Sequence, residues 1–100
     1  MISREDFVFT IGYDGSMAVV DGRAKKEFGR LGTMELAEKG LYRAAFASAL
    51  RASIDGKADD MAAFIAFFNA KAGTSYSTAD QLKRLFGVNE ETVSKVLVLG

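Results

Sequence analysis

Apolar positions along this chain change period several times, and each change marks an element. Phe7-Val8-Phe9-Thr10-Ile11-Gly12-Tyr13 alternates, with Phe7, Phe9 and Ile11 on one side and Val8 and Thr10 on the other, as a strand with a side-chain period of two requires. Asp14-Gly15 then offers tight-turn chemistry before a second run, Ser16-Met17-Ala18-Val19-Val20, so the pattern predicts a β-hairpin closed at Asp21-Gly22. A lone hairpin is marginal in water, so its apolar face must pack on helices, gain a third strand or pair with another chain.

From Thr33 the period lengthens. Thr33 fits an N-cap with Glu35 in the first turn, and Ala37, Leu41, Ala44, Ala45 and Ser48 form a stripe widened by Phe46, Ala49 and Leu50, predicting a helix to about Ala52. Gly40 interrupts it at a cost of up to about 1 kcal/mol relative to alanine, and so marks a close contact or a break. Asp59-Asp60 place negative charge at the start of a further helix that Gly73 closes. Met61, Phe64, Ile65 and Phe68 with the alanines between them leave few polar positions there, which predicts the central, most buried helix. Ser77 followed by Asp80 resembles a capping box for a short helix from Ala79 to about Phe86, which Gly87 stops.

Composition narrows the chemistry. The chain has 100 residues, with no His, Cys, Pro or Trp and with 13 basic residues against 13 acidic ones. That length and a 49% hydrophobic content fit one domain over residues 1–100 with a single core. Disulfides, thiolate or imidazole metal sites and cysteine or histidine catalysis are excluded. No enzymatic activity, cofactor or metal is therefore expected. Zero net charge supplies no global field, so binding to an anionic polymer would need a local patch. Met1 to Asp6 holds Arg4, Glu5 and Asp6 and no apolar core, which reads as no secretory signal, and no run is long enough to span a membrane. The expected location is cytoplasmic.

The run Thr78-Ala79-Asp80-Gln81-Leu82-Lys83-Arg84-Leu85-Phe86-Gly87-Val88-Asn89-Glu90-Glu91-Thr92-Val93-Ser94-Lys95-Val96-Leu97 resembles the helix-turn-helix of bacterial repressors, including the lactose-repressor type. In that resemblance Leu82, Leu85 and Phe86 pack the first helix, Gly87 takes the left-handed turn, Val88 fills the corner, and Val93, Val96 and Leu97 bury the second helix. The resemblance implies that Asn89, Thr92 and Ser94 meet phosphate or sugar, that Glu90, Glu91 and Lys95 lie nearest the bases, and that the protein binds DNA as a dimer. The same stretch read by periodicity gives an alternative, because Val93 to Leu99 alternates and is β-branched enough to be a third strand beside the hairpin.

One basic cluster, Arg23, Lys25, Lys26 and Arg30 against Glu27, could grip phosphate but also suits a solvated connector. The 55–60 segment lacks the spacing of a calcium loop and reads as turn plus helix start. The expected fold is α+β, an N-terminal β-hairpin packed on about four helices, the last two in helix-turn-helix order or the last replaced by a strand. Two functions are compatible with it: a non-catalytic protein-interaction or assembly module engaging a protein partner or a second copy through the hairpin edge, or a DNA-binding transcriptional regulator.

Overall fold

A computed structural model describes residues 2–57, 59–88 and 93–100. In chain order these form α1 (Arg4–Val8), β1 (Thr10–Asp14), β2 (Met17–Asp21), α2 (Gly22–Phe28), α3 (Thr33–Glu38), α4 (Tyr42–Ile54), α5 (Asp59–Ala72), α6 (Ala79–Phe86) and β3 (Lys95–Leu99). The class is α+β. A three-stranded sheet in the order β1-β2-β3 pairs β1 with β2 antiparallel and β2 with β3 parallel. No helix among the described residues is long and apolar enough to cross a membrane.

The hairpin is present but begins later than the alternation suggests. Phe7 and Val8 belong to a helix because Ser3 caps it and Glu5 and Asp6 occupy its first turn, where negative charge is favoured. Phe7, Val8 and Phe9 are all buried, so this run serves both sides of its surroundings and the two-face reading fails. Thr10 pairs with Val20 and Gly12 with Val19, leaving Ile11 as an extra residue in a bulge, 57% exposed. Gly15, at φ +61°, opens a two-residue turn whose positive first φ matches the twist of the strands.

The helical part departs from expectation in three places. Residues 22–28 form a helix, with Asp21 Oδ1 accepting from the N–H groups of Arg23 and Ala24 at 3.1 Å each. The helix predicted from Thr33 to Ala52 is two helices, because Gly40 takes φ +78° and ends α3 before α4 begins. That gives six helices among the described residues instead of about four. Finally, α4 is the most buried helix: Ala45 to Leu50 are all buried, whereas α5 buries Met61, Phe64 and Phe68 and exposes Ala62, Ala63 and Ala66. Alanine is apolar enough to suggest a core face yet small enough to be left outside at little cost.

Small side chains on α4 let α1, α3 and α5 approach it, and aromatic rings fill the remaining space. Phe46 stacks on Phe86 with centroids 5.5 Å apart, and Phe68 meets Phe86 edge-on at 5.4 Å, geometries that favour aromatic pairs. Phe64 stacks on Phe68 at 5.8 Å. These contacts fasten α6 to α4 and α5. The cap of α6 sits one residue later than read, with Thr78 Oγ1 accepting from Gln81 N–H at 3.4 Å and Gln81 Oε1 accepting from Thr78 N–H at 3.1 Å. Gly87 does end α6 in the left-handed conformation, at φ +65°. Val88 is buried, while Leu85 remains 50% exposed.

Phe46 is fully buried at the junction of three helices. Truncation in Phe46→Ala is expected to cost about 3–5 kcal/mol, measurable as a lower urea midpoint with an unchanged slope.

Candidate functional site at the sheet edge

Several cations are tied into the fold. Arg4 donates to Gly29 O at 3.0 Å, Leu31 O at 2.7 Å and Ser48 Oγ at 3.0 Å, joining α1 to the α2–α3 connection and to α4. Ser48 Oγ lies 2.9 Å from Thr33 Oγ1, which donates to Asp60 Oδ2 at 3.0 Å. A polar cleft of about 300 Å³ beside this chain is lined by Arg4, Thr33, Ser48, Arg51, Asp55 and Asp60. Arg51 Nη1 donates to Ile2 O at 2.8 Å. Its acids and bases face each other, so the cleft carries no strong excess of charge.

Arg43 is the second tie. Its Nε donates to Phe86 O at 2.9 Å and an Nη2 proton to Gly87 O at 3.3 Å, placing positive charge at the C-terminal end of α6, where the helix dipole favours it. Burial lowers the affinity of this guanidinium for its proton, and the hydrogen-bonded Tyr13 opposes that change. It nevertheless remains cationic at neutral pH. Arg43 also lines an apolar cleft of about 360 Å³ with Val8, Phe9, Ile11, Leu41 and Tyr42. Among the described residues no three or more acidic side chains converge to hold a metal ion.

The basic cluster divides. Lys25 Nζ sits 2.6 Å from Asp6 Oδ1, so α2 spends this charge on α1. Arg23, Lys26 and Arg30 are exposed, and Arg23 and Lys26 share a groove with Glu27 and Gly100. Of the residues assigned to DNA contact by resemblance, Asn89, Glu90, Glu91 and Thr92 lie outside the described residues. Ser94 and Lys95 are in extended chain. The Ser94 N–H donates to Ser16 O at 2.8 Å and its hydroxyl to Ser16 Oγ at 2.7 Å, and Lys95 opens β3. Of the two alternatives for the C-terminal segment, Lys95–Leu99 takes the strand.

That strand is the unusual surface of the molecule. Every residue of β3 is exposed, with Val96 at 37%, Leu97 at 45%, Val98 at 48% and Leu99 at 45%. Its register sets Val96 beside Ala18 and Val98 beside Val20, on the face where Ala18 and Val20 are buried, yet both valines stay exposed, with the start of α2 close to Val98 at Gly22. Lys95, Leu97 and Leu99 share the other face with Met17, Val19 and Asp21. Sheet order makes β3 a terminal strand, so its outer row of N–H and C=O groups has no partner strand among the described residues. Four apolar residues at an open edge combine backbone hydrogen-bonding capacity with side chains that gain from leaving water. Alternation in the sequence pointed to the strand, but only the sheet order reveals that β2 is the central strand and that β3 joins β1 as a terminal one.

β3 pairs with β2 and passes close to the backbone at Gly22. A Cβ at that position would meet Leu99 O at 2.5 Å and Val98 Cγ1 at 2.9 Å, distances that force the strand to move. Comparison with protein-family models, curated proteins and solved structures gives no match. Gly22→Ala should loosen β3 while the helical core stays intact. Hydrogen exchange of residues 95–99 is expected to accelerate by about tenfold or more, with α4 amides unchanged.

Proposed function

We propose that this protein is a non-catalytic protein-interaction module that adds an extended, apolar segment of a protein partner to the outer edge of β3. The observation that carries this reading is the exposure of Val96, Leu97, Val98 and Leu99 on both faces of a terminal strand. Strand addition draws affinity from main-chain hydrogen bonds and specificity from alternate side chains, and β3 offers both. Lys95 is the one charge on the strand, a feature that limits unselective pairing at edges. A DNA-binding regulator needs Ser94 and Lys95 on a reading helix. Their extended conformation beside Ser16, and the commitment of Lys25 to Asp6, favour strand addition instead.

The ladder gives a specific test. The Lys95 N–H points to Ser16 O at 3.4 Å, so alternation directs the N–H groups of Leu97 and Leu99 inward and those of Val96 and Val98 outward. Proline is tolerated on an edge strand where its missing N–H would face solvent. A synthetic strand peptide of alternating valine and threonine with lysines at its ends should shift the amide resonances of Val96 to Leu99 in the wild type. Val98→Pro should keep the fold and weaken that binding by about tenfold or more, equivalent to about 1.4 kcal/mol. Peptide binding that spares β3, or equal binding to Val98→Pro, would overturn the reading.

A further inference from the structure

We infer that the partner segment is β3 of a second copy of this chain, paired antiparallel about a two-fold axis through Leu97, an inference that rests on the strand-addition reading. The outward groups of β3 belong to Val96 and Val98, as the Lys95 to Ser16 contact fixes. An antiparallel copy centred on Leu97 places Val96 opposite the partner's Val98, and Val98 opposite the partner's Val96. Both are then reciprocal hydrogen-bonded pairs, and every outward N–H and C=O of those residues is used. Leu97 faces the partner's Leu97 in the non-hydrogen-bonded position between them, where side chains come closest.

The side chains agree with this register. Lys95 falls opposite the partner's Leu99, so no like charges are opposed. A two-fold axis normal to the sheet puts both helical layers on the same face. Val96 and Val98 of each copy, which share the face of buried Ala18 and Val20, then form a four-valine patch between the layers. A parallel arrangement could not be two-fold symmetric, because the two strands of a parallel pair use different residues in the ladder. The antiparallel pair is isologous and closes at two copies. It extends three strands to six, within the usual size of a sheet. Five residues a side make a small interface, below the roughly 1,200–2,000 Å² of stable complexes, so association should be concentration-dependent and rapidly exchanging.

Sedimentation velocity of the wild-type chain should show the average mass rising from 10.8 kDa towards twice that value with concentration. Over the same range the exchange of the Val96 and Val98 amides should slow. Leu97→Lys and Leu97→Glu each place like charges in contact at the axis, and each should raise the midpoint concentration for dimerisation at least about tenfold. An equimolar mixture of the two should restore it to within about threefold of wild type, because position 97 meets itself across the interface. Melting curves of both variants establish that they fold. If either variant unfolds, the concentration dependence of Val96 and Val98 exchange in the wild type decides alone. A wild type that stays at 10.8 kDa with concentration-independent exchange overturns the second copy as partner, as does a mixture of folded variants no better than its components. Should the valine–threonine peptide still bind β3 in that case, strand addition stands with a different protein as occupant. If the peptide does not bind either, both readings fail.

Discussion

Six consecutive buried residues in α4 are the constraint around which the molecule is arranged. A helix with Ala45 to Leu50 all buried is enclosed on every side, and such enclosure requires small side chains where neighbours approach. Ala45, Ala47 and Ala49 provide that room for α1, α3 and α5, while Phe46 and Leu50 fill what is left. Ser48, the one polar residue in the run, is kept from cost by hydrogen bonds with Thr33 and Arg4. The helical layer is thereby fixed in width. Ala18 and Val20 on β2 are buried, and the start of α2 reaches β3 at Gly22, yet every residue of β3 stays exposed.

Electrostatics in this chain is local and structural. Arg4 and Arg43 each reach backbone carbonyls far away in sequence, doing for connections and helix ends what a larger hydrophobic core would do elsewhere. Lys25 joins α2 to Asp6 in the same way. Asn69 performs a neutral version, its Nδ2 donating to Tyr76 O at 2.8 Å and its Oδ1 accepting from Tyr76 N–H at 3.0 Å, which holds the α5–α6 connection against the aromatic cluster. With basic and acidic residues equal in number, the chain presents little long-range field.

The fold class was legible in the sequence, and so were the elements bounded by strong local chemistry. Gly15, Gly73 and Gly87 all take the left-handed backbone that their placement suggested, and helix α6 spans the expected residues. Where tertiary surroundings override local preference, periodicity misleads. Phe7-Val8-Phe9 alternates like a strand, yet burial on all sides removes the meaning of alternation, and the cap at Ser3 makes a helix of its start. Gly40 announced a break or a contact, and its backbone angle decides for the break. At the C-terminus the valines and leucines of 95–99 suited a strand or the second helix of a pair equally well by hydrophobicity; β-branching was the better guide. The open edge itself had no sequence signature, because it depends on which strand β3 lies beside and on where the helices stop.

Parallel pairing of β2 with β3 also governs when the fold is complete. Ser16 and Ser94, hydrogen-bonded at the start of that pair, are 78 residues apart, so the sheet closes around nearly the whole chain. Closure over such a span carries more entropy loss than any neighbouring contact, and non-local pairings of this kind are slow to form. The hairpin and the helical layer are held by contacts nearer in sequence. The residues of β3 are all exposed, so release of the strand would uncover few buried side chains. The edge of the sheet is thus fastened by a loop of nearly full chain length, a closure cost separate from the packing of the core.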